Sequence, residues 1–252
     1  MLETKNLTIR FGGHVAVDRV SCAFQPGTLT AIVGPNGAGK TTYFNLISGQ
    51  LRASEGQVLL DGQDLSSRSA PQRTKAGLGR AFQLTQLFPH LTVLENVRLA
   101  VQARRGMGLK MFSVWLSHRA LIDEAMAIVE RVRLGSRAQA LAASLPHGDQ
   151  RKLEVAMLIA LDPKVYMFDE PTAGMSVDEV PVILDLIREL KAAGQHTILL
   201  VEHKMDVVRE LADRIIVLHQ GQLVADGEPE AVIASPVVQN AYLGTVAEEV
   251  AA

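Results

Sequence analysis

The sequence predicts an α/β fold: a mainly parallel sheet covered on both faces by helices, with an antiparallel β portion at the N-terminus and an inserted α-helical subdomain. Three observations carry this. Short, largely apolar runs at 29–33, 165–168 and 197–201 alternate with helical spacing, as expected of strands buried on both faces. Weakly alternating runs fill the first 24 residues. From about residue 92 to 141 the apolar spacing becomes that of helices packed on recurrent faces. The chain of 252 residues is long enough for one large domain with a full core. The expected organisation is a single domain, 1–252, with a core of 1–91 and 142–252 and a helical insertion at about 92–141.

In chain order, Leu2 to Arg10 reads as a strand, Phe11-Gly12-Gly13 as a turn and Val15 to Phe24 as a second strand. Leu29-Thr30-Ala31-Ile32-Val33 is a β-branched, buried strand, and Thr41 to Ser48 a helix closed by Gly49. Gln57-Val58-Leu59-Leu60 is a strand ending in the Asp61-Gly62 turn. Arg68 to Arg80 is basic, broken by Pro71, Gly77 and Gly79, and leads into Ala81-Phe82-Gln83. In the insertion Leu94, Val97 and Val101, then Leu121, Ala125, Ile128 and Val132, mark the buried faces. Arg104, Arg105, Lys110, Met111, Phe112, Trp115, His118 and Arg119 mix bases with large apolar groups there. They read either as a solvated face with a few core anchors or as a docking surface beside a membrane.

After Ser144-Leu145-Pro146-His147-Gly148-Asp149-Gln150, a helix is expected from Arg151 to Leu161, stopped by Asp162-Pro163. Val165 to Phe168 is a strand ending in Asp169-Glu170. Val180 to Ala193 is a helix ended by Gly194, and Thr197 to Val201 a strand ending in Glu202-His203. Ile215 to Leu218 and Gln222 to Ala225 flank a Gln220-Gly221 turn as a hairpin, and Val246 to Ala252 reads as a loose tail.

The segment Gly34-Pro35-Asn36-Gly37-Ala38-Gly39-Lys40-Thr41 fits G-x-x-x-x-G-K-[ST], a phosphate-binding P-loop, in the strand, loop, helix context that the motif requires. Its glycines let the backbone turn sharply, so that successive N–H groups and the helix N-terminus face phosphate oxygens. Lys40 adds charge at the β/γ-phosphates, the Thr41 hydroxyl suits Mg²⁺, and Thr42 lies within reach of the α-phosphate. These residues predict a P-loop NTPase core.

Bulk composition narrows the partners. Lys plus Arg total 25 and Asp plus Glu 27, a formal charge of −2, which argues against a general nucleic-acid binder. Cys22 has no cysteine partner and reads as a small core residue. With no signal peptide at Met1-Leu2-Glu3-Thr4, the cytoplasm is the expected compartment. The longest apolar run considered, Val155 to Leu161, is far below the roughly 18 residues that span a bilayer, so a membrane role would come through a partner.

Four strand ends offer chemistry: Lys40 with Thr41, then Gln83, Asp169 with Glu170, and His203. In an open α/β sheet such ends converge on one crevice. Asp169 suits Mg²⁺ held through water, and Glu170 suits proton acceptance from attacking water. Phe11 is placed to stack on an adenine ring, or else is a partly exposed loop aromatic.

Over essentially its whole length the chain resembles the ATP-binding subunit of ABC transporters. Phe82-Gln83 matches the Q-loop, Leu145 to Gln150 the signature segment, Asp169-Glu170-Pro171-Thr172 the second nucleotide motif, and His203 the switch histidine. The resemblance implies ATP and Mg²⁺ as ligands, with Thr41, Gln83 and Asp169 at the metal and Glu170, His203 and Gln83 at the reacting phosphate. It further implies a head-to-tail pair of ATPase subunits, two copies or this chain with a sister subunit. ATP would lie between one P-loop and the partner's signature segment, here Pro146, His147, Gly148 and Asp149.

Phe11-Gly12-Gly13, the long insertion around Arg98 to Arg119, Ala173-Gly174-Met175 and Ala241-Tyr242-Leu243-Gly244 make the chain most similar to the ATPase subunit of branched-chain (hydrophobic) amino acid importers. That class works at the cytoplasmic face of the inner membrane with transmembrane permease subunits and, indirectly, a periplasmic substrate-binding protein. Urea or amide importers and lipopolysaccharide exporters have closely similar ATPase subunits, and non-transport ABC proteins share the cassette.

Two positions depart from the family pattern. Pro146 stands where a serine is usual. A hydrogen bond to a charged group is worth roughly 1.5 to 3 kcal/mol, so nucleotide-driven pairing is expected to weaken about tenfold unless N–H groups from His147 onward substitute. Proline is also well suited to a helix start. Ser176 stands where many relatives carry the D-loop aspartate, which puts communication between the paired sites in question.

Overall fold

The computed structural model describes residues 1–81, 87–106, 119–236 and 238–239. The chain divides into two compact units: Met1–Leu78 with Lys164–Glu170 and Lys191–Ala252, and Gly79–Pro163 with Pro171–Leu190. The second takes in the expected insertion, 92–141, and extends beyond it on both sides.

The first unit opens with β1 (Leu2–Phe11), β2 (His14–Phe24), β3 (Leu29–Val33), α1 (Lys40–Ser48), β4 (Glu55–Leu60), β5 (Gln63–Asp64) and α2 (Ala70–Ala76). An antiparallel sheet runs β2-β1-β4-β5. The chain leaves this unit in β6 (Leu78–Ala81). The second unit carries α3 (Val93–Arg104), α4 (Arg119–Arg131) and α5 (His147–Leu161). The chain returns to the first unit for β7 (Val165–Asp169), re-enters the second for most of α6 (Val180–Ala192), and ends in the first with β8 (Thr197–Val201), α7 (Met205–Leu211), β9 (Arg214–His219), β10 (Gln222–Gly227) and α8 (Pro229–Ile233). The second sheet of this unit runs β10-β9-β3-β8-β7. Its β9-β3-β8-β7 pairings are parallel and the β10-β9 hairpin is antiparallel.

Both faces of that sheet are buried, as its apolar strands require. Ile32, Met167, Leu199, Ile216 and Leu218 join Tyr43, Phe44 and Ile47 of α1 in one core, which also takes in Leu2, Leu7 and Phe24 of the antiparallel sheet. The alternate positions Ala31, Val33, Ile215 and Val217 pack with Val208 and Val232 in a second.

The stretch from Arg68 to Arg80, expected to be broken by Pro71 and Gly77, instead holds α2. Pro71 lies in its first turn and Gly77, at φ 112, is its left-handed C-cap. Proline at a start and glycine at a stop punctuate a helix rather than interrupt one. α2 delivers Arg73, 2% exposed, to the end of α1. Its guanidinium donates to the carbonyls of Leu46 (2.6 Å), Ile47 (2.7 Å), Ser66 (3.0 Å) and Arg68 (3.1 Å). The first two belong to the last turn of α1, where helix carbonyls have no intrahelical donor. Arg73→Met leaves these acceptors unmet, so the free energy of unfolding should fall by about 3 kcal/mol in urea titration.

In the second unit, Thr92 and Glu95 form a capping box at the start of α3, and fully buried Asn96 donates to the Thr92 carbonyl at 2.9 Å and the Phe88 carbonyl at 3.1 Å. Val93, Val97 and Val101 form the buried stripe, with Leu94 only half-buried. α4 buries Leu121, Ala125, Ile128 and Val129.

Candidate functional site

The turn from β3 into α1 is shaped by its glycines. At φ 150, Gly34 lies so close to the sheet that a Cβ there would stand 2.1 Å from the Leu218 carbonyl oxygen. Gly39, at φ 96, is the left-handed N-cap of α1, and a Cβ would stand 2.5 Å from the carbonyl oxygen of Ala16. Both positions combine a backbone conformation and a close approach that only glycine meets. The Ala16 contact also brings the start of β2, and with it the Phe11–His14 hairpin, to the loop. Phe11, the last residue of β1, is 50% exposed and so available to a planar ligand.

The loop borders a cavity of about 230 Å³ lined by Asn36, Gly37, Gly39, Lys40, Thr41, Glu170 and His203. Ala38 also lines it, with little surface exposed; Pro35 is buried, Thr42 is half-buried, and Asn36, Gly37 and Thr41 are exposed. Lys40 is buried and folds back, its Nζ donating to the carbonyls of Gly34 at 2.6 Å and Pro35 at 2.9 Å. Burial pushes its ammonium below the ordinary range, opposed by the nearby charges of Glu170 and Asp169. A buried cation turned onto its own loop suits a site whose counter-charge arrives with a ligand.

The acid pair sits where β7 ends. Asp169 is fully buried. Glu170 takes the left-handed conformation at φ 48, uncommon for a side chain of its size, while its N–H donates to the Val201 carbonyl at 2.9 Å. This bend turns the Glu170 carboxylate to His203, whose Nε2 lies 2.7 Å from Oε1. The convergence of Lys40, Thr41, Glu170 and His203 on one cavity is the arrangement expected of strand ends in an open α/β sheet. Gln83 and the Ala241 to Gly244 stretch lie outside the described residues, as do Lys110, Met111, Phe112, Trp115 and His118.

Pro146, His147, Gly148 and Asp149 belong to the second unit. Pro146 is the N-cap of α5, which begins at His147 rather than at Arg151, and no side chain caps it. The Asp149 carboxylate meets Lys152 at 2.8 Å and Arg137 at 2.9 Å. Ser176 hydrogen-bonds Glu179, which holds Lys152; neither Lys152 nor Glu179 was marked by the motif reading. The signal was there as Ser176-x-x-Glu179 before an apolar helix.

Residues 17–173 match the ABC transporter family. The high-affinity branched-chain amino acid transport ATP-binding protein LivG of Escherichia coli (strain K12) is 38% identical over 249 residues, covering 97% of this chain and 98% of LivG. A solved structure of the ADP conformation of an ATP-binding cassette of an ABC transporter is 30% identical with a TM-score of 0.81, over 97% of this chain and 98% of that one. A dimeric cassette in a post-hydrolysis state bound to ADP and Pi is 26% identical with a TM-score of 0.78, over 91% of this chain and 99% of that one. A family match that runs from the second strand past the acid pair, together with a relative aligned nearly end to end, places this chain in the ABC transporter family.

Proposed function

We propose that this chain is the ATP-binding and ATP-hydrolysing subunit of an ABC importer for branched-chain or other hydrophobic amino acids. The observation that carries the reading is the near end-to-end similarity to LivG, a protein named for high-affinity branched-chain amino acid transport. The P-loop cavity supplies the chemistry. The chain is read as one cassette, 1–252.

The turn at 34–39 would cradle the phosphates with its N–H groups, and Lys40 would exchange its two carbonyl partners for β/γ-phosphate oxygens. Phe11 would stack on the adenine. Aromatic stacking on a base is worth about 1–3 kcal/mol, so Phe11→Ala should weaken ATP binding on the order of tenfold in equilibrium titration while leaving the fold intact. The exposed Thr41 hydroxyl and buried Asp169 carboxylate are hard oxygen ligands at the same strand ends and would hold Mg²⁺. Mg²⁺ supplies charge neutralisation at the phosphates. Glu170 would take the proton from the attacking water, with His203 fixing the carboxylate.

Solved cassettes of the family include a dimer, and pairing is read here with a second copy or a sister subunit. The signature segment Pro146 to Asp149 would then close over the ATP held by the partner, offering helix N-terminal N–H groups in place of a serine hydroxyl. Among the described residues no helix is long and apolar enough to cross a membrane. Membrane attachment at the cytoplasmic face would come through permease subunits. A cavity of about 200 Å³, lined mostly by apolar residues (Leu87, half-exposed Phe88, Met157, Leu158 and Leu161) together with Arg80 and Glu154, supports docking of a permease segment there.

An affinity pull-down of this chain from detergent-solubilised membranes of its host, with partners identified by mass spectrometry, tests the reading. Multi-span permease subunits are expected. Recovery with soluble machinery alone would retain the ATPase and remove the transporter.

A further inference from the structure

Around the first turn of α5, five side chains form one continuous series of contacts. Arg137 Nη1 lies 2.9 Å from Asp149 Oδ2. Lys152 Nζ donates to Asp149 Oδ1 at 2.8 Å and to Glu179 Oε1 at 3.0 Å. Glu179 Oε2 accepts from the Ser176 hydroxyl at 3.0 Å and the Ser176 N–H at 3.3 Å. The turn at 173–176 is thereby tied to α5, the helix capped by Pro146.

Packing makes the tie close. A Cβ on Gly148 would stand 2.2 Å from Glu179 Oε2, so the carboxylate rests on the backbone of α5 itself. A Cβ on Gly174 would stand 3.1 Å from the His147 ring. Both glycines are small because the other segment occupies the space a side chain would take.

The Lys152 side chain is 9% exposed. Burial opposes its charge, but the hydrogen bonds and charges of Asp149 and Glu179 outweigh that and hold the ammonium above its ordinary range. On the other side, Lys152 is the main influence that lowers Glu179. Buried ion networks add little net stability compared with apolar packing, and their best-attested use is to fix register. A helix that offers backbone N–H groups has a particular need for this. A serine hydroxyl can rotate towards a phosphate, whereas N–H groups point only where the helix axis points. With Pro146 at the N-cap, the aim of α5 is set by what holds its first turn.

We propose that Lys152 and Glu179 are positioning residues that clamp the first turn of α5 to the turn at 173–176, so that both meet the nucleotide of a second subunit as one block. The proposal rests on the ATP-driven closure read above. Ser176, which departs from the family's aspartate, is then the far end of the clamp, because it orients Glu179.

The test uses the full chain carrying Glu170→Gln, expected to bind ATP with little hydrolysis, and follows pairing by light scattering as ATP is raised. Single-chain ATP binding is measured in parallel at chain concentrations too low for pairing. Lys152→Met should raise the ATP concentration for half-maximal pairing about tenfold, leave single-chain binding within about twofold, and be restored by Lys152→Arg to within about threefold. Should Lys152→Met fail to fold, the isosteric Glu179→Gln should still shift pairing by about threefold. Pairing of the folded variants at the parent's ATP concentration overturns the clamp. So does an equal loss of single-chain binding, which marks a purely structural role. If the Glu170→Gln parent itself does not pair with ATP, the closure reading fails and takes the clamp with it.

Discussion

Glu170→Gln should bind ATP within about twofold of the unaltered chain and hydrolyse it on the order of 10²- to 10⁴-fold more slowly, the range contributed by a positioned general base. The substitution is nearly isosteric. The amide can still meet His203 at the 2.7 Å separation seen for the carboxylate, so geometry is kept and only the proton-accepting charge is lost. Phosphate release measured beside equilibrium binding separates the two effects. Turnover near that of the parent would remove Glu170 as the base and leave its left-handed backbone without a catalytic account.

Lys40→Met should lose both properties. Removing one preorganised donor to developing charge lowers turnover by about 10²- to 10³-fold, and loss of the charged hydrogen bonds should weaken ATP binding about tenfold or more. Methionine keeps the buried stem, so thermal unfolding serves as the control. Lys40→Arg should not rescue, because a planar guanidinium does not fit a turn that encloses a compact ammonium between the Gly34 and Pro35 carbonyls. A variant that binds ATP at the parent's affinity would mean that the backbone cradle suffices.

Much of this was legible in the sequence because the signals were short-range. The apolar runs became β3, β7 and β8 because a run buried on both faces needs no partner-specific pattern. The P-loop was legible because two of its glycines, Gly34 and Gly39, are forced by the Leu218 and Ala16 carbonyls that lie against them. The meeting of Glu170 with His203 followed from adjacent parallel strands, β7 and β8, ending side by side.

Other features were harder to read. Pro71 and Gly77 looked like breaks, although each sat at the end of a short helix where it is favoured. The helix expected from Arg151 begins four residues earlier, at His147. Proline tolerates the cap position, and glycine at 148 is required by the Glu179 carboxylate beside it. α7 (Met205–Leu211) was missed because its seven residues are too few to show a period. The contacts of Lys152 and Arg73 depend on tertiary placement, which no local pattern announces.

The most direct measurement is uptake of radiolabelled leucine into proteoliposomes that carry the membrane complex recovered with this chain, comparing ATP with no nucleotide and the parent with Glu170→Gln. Uptake should require ATP and be abolished by the substitution. ATP hydrolysis sustained by the complex with no movement of leucine, isoleucine or valine would contradict the importer function.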